Sequence, residues 1–352
     1  MDTQRRMAQE TRAVWATAVC FAAGLIGGVL VLWGNPRPVA GDGSVAMPMA
    51  LVAGFVAAAA FVVSTRMHRR GDHASMPGWQ VAISSLSAVA LTIAFAGVTA
   101  LAVLLASEVF AVGLQGLELP AVGGGSLTGV ASAVGGRLTF EAGIELRTTD
   151  LANLLFVYLI VGTLFAMITA ADPRWWELNF SQLGIGAGAW AFNGTLVVAG
   201  LLIATVGSYI GRDLHRILGD AALGRIAWVV VLWAATGVAL AGVGMVPLER
   251  NLLGHNLFAL SALVLFTVAG VVTTIVMPGP PRPLVVTSVA IAALIVLAAV
   301  LAFGFDLYSV TALEAIVIGL GLLWLTTQVR MLAVLTPQAT RPARRTTIFI
   351  VR

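Results

Sequence analysis

The chain contains no lysine. Charge of any kind is scarce: Asp, Glu and Arg together make up 10% of 352 residues, against about 25% in an ordinary soluble domain. So few charges cannot cover a globule of this size with polar surface, which excludes a soluble α/β enzyme. The single cysteine, Cys20, cannot form an intramolecular disulfide, which excludes a secreted disulfide scaffold. There are four histidines, and three of them (His68, His73 and His215) map to loops on one side of the chain's apolar runs, leaving His255 alone on the other. An intramembrane zinc centre needs several ligands together, so no metal site is expected. No P-loop or dinucleotide fingerprint occurs, and no cofactor is implied.

What is present is apolar. Hydrophobic residues make up 59% of the chain and mean hydropathy is +0.97. A spanning helix needs about 20 apolar residues. Runs of that length lie at 13–33, 47–66, 81–107, 121–143, 151–171, 187–210, 226–247, 256–277, 284–304 and 308–329. The expected fold is all-α: a polytopic integral membrane helix bundle of about ten transmembrane helices. The fourth run is the weakest, because it is rich in glycine (Gly123, Gly124, Gly125, Gly129, Gly135 and Gly136) and carries Arg137 and Glu141. It reads either as a span packed closely through small residues or as a re-entrant or external segment.

Arginine placement gives an orientation. With ten spans and a cytoplasmic N-terminus, the cytoplasmic side holds Arg5, Arg6, Arg12, Arg66, Arg69, Arg70, Arg147, Arg212, Arg216, Arg225, Arg282, Arg330, Arg341, Arg344, Arg345 and Arg352. The other side holds Arg37, Arg174 and Arg250, and Arg137 belongs to the fourth run. This asymmetry follows the positive-inside rule and puts both termini in the cytoplasm. The basic charge, with a pI near 10.2, therefore reads as orientation in a plasma membrane, and no nucleic-acid partner is expected. The first run follows three arginines but is longer than a signal-peptide core, so it reads as an uncleaved anchor. The organisation expected is a four-span extension over 1–150, a six-span core over 151–330 and a basic cytoplasmic tail over 331–352.

In that topology the polar residues gather on the external side of the core. Asp172, Trp175, Trp176, Asn179 and Ser181 lie in the loop between the fifth and sixth runs, and Asn193 lies about two turns into the sixth. Arg250 and His255 lie in the next external loop and at the mouth of the eighth run. Asp306 sits in the last external turn, and Glu314 about a turn inside the tenth. Polar groups at membrane depth are expensive and usually face a bundle interior or a wet cavity. These ten residues are the candidate ligand-binding set. Each also has a plainer role: belt aromatic for the tryptophans, turn former for Asp172, helix–helix bond for Asn193, snorkelling for Arg250. Ser181, His255 and either Asp172 or Asp306 could be arranged as nucleophile, base and orienter. No nucleophile-elbow motif supports that arrangement, and no catalytic residue is assigned.

Two stretches carry a family resemblance. Trp175-Trp176-Glu177-Leu178-Asn179-Phe180-Ser181-Gln182-Leu183-Gly184 with Ala191-Phe192-Asn193-Gly194-Thr195-Leu196-Val197-Val198-Ala199-Gly200, and Gly244-Met245-Val246-Pro247 followed by His255, resemble the hallmarks of a bacterial membrane family known as a domain of unknown function, common in actinobacteria. More distantly the core is similar to the six-span FRAG/DRAM/SFK-type proteins, which are tied to lipid handling. The resemblance implies a fold and a site but lends no activity. Three functions are carried forward: a plasma-membrane protein that binds a lipid headgroup or polar small ligand in an external pocket, a permease working with a separate ATPase, and an extracytoplasmic lipid hydrolase or transferase. The partners expected are membrane lipids, with a membrane-protein partner or homo-oligomer also open.

Overall fold

The apolar runs form helices, because a backbone in hydrocarbon must satisfy its own N–H and C=O groups. In the computed structural model, residues 2–69 and 78–336 are described, without the side chains of 2–6, 68, 69 and 78–84. His73, Arg70 and the arginines of the tail beyond 336 therefore lie outside the described residues. Ten long helices follow in order: α1 (Asp2–Val31), α2 (Ala46–Arg69), α3 (Gly78–Gly113), α4 (Ala121–Ile144), α5 (Thr148–Ile168), α6 (Ala189–Leu218), α7 (Leu223–Met245), α8 (Leu252–Val276), α9 (Arg282–Phe305) and α10 (Val310–Leu335). Two-residue strands, β1 (Arg37–Pro38) and β2 (Glu118–Leu119), pair antiparallel with Arg37 opposite Leu119. Among the described residues, nine helices are long and apolar enough to cross a membrane. The protein is an all-α, multi-pass membrane helix bundle.

The chain divides into two compact units: residues 1–73, 88–146 and 160–168, and residues 74–87, 147–159 and 169–352. In the first unit the doubtful fourth run is a continuous helix, α4, rather than a re-entrant loop. It falls outside the nine by composition, yet its 24 residues extend about 36 Å at 1.5 Å each, enough to cross a hydrocarbon core of about 30 Å. It packs along both α1 and α2. Its buried face is a stripe of Gly124, Gly125, Thr128, Gly129, Ser132, Gly135, Gly136 and Thr139. Small residues let backbones approach where no hydrophobic force between helices exists in lipid. A side chain on Gly24 of α1 would strike Ser132 and the Thr128 carbonyl. On the α2 side, Thr139 Oγ1 donates to the Ala57 carbonyl at 2.9 Å and Ser64 Oγ to the Phe140 carbonyl at 2.6 Å. Arg137 is neutralised by Glu141, four residues on, at 2.8 Å, and by Glu10 of α1 at 2.6 Å.

The second unit is built on α6 against α7, with α8, α9 and α10 added. Gly200 and Gly237 face each other so closely that a side chain on either would run into the other's carbonyl oxygen. Deeper in, polar side chains are bonded across helices: Trp233 Nε1 donates to Thr273 Oγ1 at 3.0 Å, Trp324 Nε1 to Ser288 Oγ at 2.8 Å, and Gln328 Nε2 to the Gly270 carbonyl at 2.7 Å. Phe266 lies edge-on between Trp233 and Trp324, with ring centroids 5.3 and 6.1 Å away. The turn from α8 to α9 uses Gly279 at φ +57°, then Pro281 as the residue before the helix and Pro283 in its first turn. Proline is tolerated there because those N–H groups have no helical partner.

Candidate functional site

The segment between α5 and α6 cannot continue a helix, and local chemistry shapes it. Asp172 Oδ1 accepts the Arg174 N–H at 2.8 Å, closing a turn across Pro173. A single 3-10 turn, Trp175–Glu177, follows. Asn179 is extended and starts a five-residue 3-10 helix, Phe180–Gly184. Gly186 at φ +80° then redirects the chain into α6.

Three helices bond this segment. From α6, Asn193 Nδ2 donates to the Gly184 carbonyl at 3.1 Å. From α10, Thr311 Oγ1 donates to the Trp176 carbonyl at 2.8 Å, and Glu314 Oε2 accepts the Phe180 N–H at 2.8 Å. From α8, His255 Nε2 lies 2.9 Å from Ser181 Oγ. The helices are held in position for this by their own starts. Asn251 caps α8 by accepting the Gly254 N–H at 2.9 Å, and Ser309 caps α10 by accepting the Ala312 N–H at 3.3 Å. His255 therefore sits one turn into α8, and it is 2% exposed.

The tautomer of the neutral histidine follows from its neighbours. Nδ1 is 2.8 Å from the Val246 carbonyl, an atom that can only accept. In the neutral ring Nδ1 therefore carries the proton, and Nε2 presents a lone pair to the Ser181 hydroxyl. The Val246 carbonyl is available because α7 ends at Met245 and Pro247 stops the chain from continuing. Glu314 lies within electrostatic reach of the ring. Two amide oxygens complete the site: Asn179 Oδ1 and Asn193 Oδ1 are buried and accept no hydrogen bond. The aromatic wall is Trp175 against Phe180, centroids 5.4 Å apart and tilted by 43°.

The ten candidates are not all brought together. Asn179, Ser181, Asn193, His255 and Glu314 converge on one stretch of backbone, with Trp175 against it and Trp176 contributing its carbonyl while its ring stays exposed. Asp172, Arg250 and Asp306 are exposed. Asp172 closes its own turn, and Asp306 adopts the left-handed conformation at φ 50° that ends α9. Neither aspartate therefore orients His255; the Val246 carbonyl does. With both ring nitrogens engaged inside the protein, His255 also has no N–H left for a ligand. Sequence reasoning missed Thr311, the Phe180 N–H and the Val246 carbonyl. Main-chain groups leave no signal in composition, and a threonine one residue into a helix looks ordinary.

A second polar cluster was also missed. Asp213, near the C-terminal end of α6, is 6% exposed. It accepts the Thr148 hydroxyl from the start of α5 and pairs with Arg216 at 3.5 Å and Arg212 at 3.9 Å. The Arg212 guanidinium lies 4.1 Å from the Tyr209 ring centroid. His215 bonds Asp220 at 2.8 Å. Among the described residues, no group of three or more His, Cys, Asp or Glu is placed to hold a metal ion.

The fold and this loop-gripping site define a multi-pass helical membrane protein. The chain belongs to the DUF998 family of proteins of unknown function, whose model matches residues 151–331. No curated protein and no solved structure matches the chain significantly.

Proposed function

We propose that the family region binds the polar head of a membrane lipid, or a small ligand of the same chemistry, at the non-cytoplasmic side of the plasma membrane. The observation that carries this is the pair of unpartnered buried oxygens, Asn179 Oδ1 and Asn193 Oδ1, at the two ends of one short helix. A buried acceptor left unpaired costs about 1–3 kcal/mol. Asn193 cannot escape by flipping its amide, because its Nδ2 is committed to the Gly184 carbonyl. The half-buried Glu314 carboxylate adds negative charge beside them. Such a site favours a ligand rich in donors, an ammonium or hydroxyl headgroup, over a bare anion. Arg250, exposed in the turn between α7 and α8, is assigned a lipid phosphate outside the acceptor set. The tryptophans suit the headgroup level, where amphipathic rings concentrate.

The test is the lipid that accompanies the full-length protein. Purification in mild detergent followed by native mass spectrometry should find retained phospholipid with an amine or hydroxyl headgroup. Asn193→Leu should reduce that retention by more than Arg250→Ala does. Equal lipid recovery from wild type and both variants would refute the reading.

A further inference from the structure

We propose that Ser181 is an acyl-accepting nucleophile, with His255 as its general base, acting on the carboxylic ester of a membrane lipid. The proposal rests on the headgroup reading above, which brings an ester to the site, and it adds a reaction there.

The geometry is that of an activated hydroxyl. Ser181 Oγ is 2.9 Å from His255 Nε2, inside the distance for direct proton transfer. The ring is held in the one tautomer that leaves Nε2 free to accept, because Nδ1–H is spent on Val246. The histidine is buried while the serine is partly exposed. The base is thus kept from bulk water, while the serine residue keeps part of its surface exposed. Glu314 stands where it can stabilise the imidazolium that forms during transfer. Its fixed bond to the N–H of Phe180, the residue before the nucleophile, keeps both at constant spacing.

Depth selects the substrate class. His255 follows the first residue of α8 by three positions, and Glu314 follows the first residue of α10 by four. At 1.5 Å per residue both lie about 5–6 Å inside the helix ends. Glycerolipid ester carbonyls occupy that zone between headgroups and hydrocarbon. A headgroup held by the amide oxygens would place its own ester nearby.

The step balances without an oxidant or metal. The Oγ–H proton moves to Nε2 as Oγ bonds to the ester carbonyl carbon. The bond from that carbon to the glycerol oxygen breaks, and the leaving oxygen takes the proton from Nε2. This yields a lysolipid and acyl-Ser181. Water, or a hydroxyl of a second lipid, then attacks the acyl carbon through the same base and restores the serine. Ser181 and His255 touch reacting atoms; Glu314 and the Val246 carbonyl are positioning groups.

The test uses the full chain in vesicles of phosphatidylethanolamine and phosphatidylglycerol. A fluorophosphonate, which reacts with activated serines, should label the peptide containing Ser181. Ser181→Ala should abolish the label, and His255→Gln should slow it by about 100-fold or more, the lower range for loss of a general base. Glu314→Gln, which can still accept the Phe180 N–H but carries no charge, should slow labelling of the folded protein while Ser181 remains the labelled residue. Wild type should also release lysolipid and fatty acid from the vesicles, and Ser181→Ala should not. Wild-type protein that retains lipid but shows neither label nor lysolipid overturns the reaction and leaves the headgroup reading standing. Protein with neither bound lipid nor label overturns both. The wild-type result decides without any variant, so loss of folding in Ser181→Ala cannot rescue the proposal. Labelling at the same rate in a folded His255→Gln would also overturn it.

Discussion

The two units of this protein solve the same problem in different ways. In the first, α1, α2 and α4 meet through glycine, serine and threonine, and nearly every buried hydroxyl is spent on a carbonyl of its own or a facing helix. In the second, the α6–α7 seam uses the same small-residue device, but the end where α8 and α10 begin carries a carboxylate, a histidine and two amides around a loop. Unpaired oxygens occur in both units and differ in kind. Ser132 Oγ lies on the packed α4 stripe against Gly24, and Gln328 Oε1 of the second unit is likewise fully buried on α10, bonded through its Nε2 to α8. The oxygens of Asn179 and Asn193 belong to a loop site whose neighbours are polar and partly exposed. Close packing alone makes a stable bundle in lipid; a site requires polar groups that packing leaves unsatisfied.

The sharpest way to break the comparison is at the α6–α7 seam. Gly237→Leu forces a side chain into the Gly200 carbonyl, a backbone atom that cannot move aside. Overpacking usually costs about 1–3 kcal/mol, and this variant should fall at or beyond the upper end, seen as loss of folded protein by size-exclusion chromatography. Gly24→Leu meets mainly the Ser132 side chain. It should destabilise the fold within that same range of about 1–3 kcal/mol, read as a lowered thermal midpoint, while leaving lipid retention per folded molecule unchanged.

The unpaired oxygens give a finer contrast. Asn193→Leu should cut lipid retention several-fold, measured by mass spectrometry on folded protein. Ser132→Ala should leave retention unaltered and be neutral or slightly stabilising, since an unmet buried hydroxyl is removed at little loss of shape. The smallest effect is expected at Arg137→Ala. Its partner Glu10 is exposed and Glu141 half-exposed, and ion pairs so open to solvent contribute little. The midpoint should not move measurably; a large drop would mean that α4 depends on its charges more than on its glycine stripe.

Much of the fold was readable because lipid imposes so strict a rule. Each apolar run of sufficient length has to be a helix, and each run falls on one of α1 to α10, although polar ends lengthen some of them: α1 begins at Asp2 rather than at 13, and α6 runs on to Leu218 rather than ending at 210. The glycine stripe of α4 was visible too, since residues at spacings of three and four share one helix face. That both α1 and α2 cover this face was not visible, because small residues say that something is close without saying what. The site was legible only in part. Asn193, His255 and Glu314 stood out as polar groups in apolar runs, and they do meet one loop. Asp172, Arg250 and Asp306 looked equivalent by composition, yet they remain at the surface, where charge is cheap and turn geometry occupies them.

The sequence by itself determined that this chain lives in a membrane as a helical bundle, because a chain with 10% charge has no other way to be solvated. It also determined which few side chains would be costly there. Tertiary structure alone decided the pairing of Ser181 with His255 across 74 positions, and the tautomer set by a carbonyl from the end of another helix. Helix propensity and hydropathy act over neighbours along the chain. The direction of one hydrogen bond depends on where three separate helix ends come to rest.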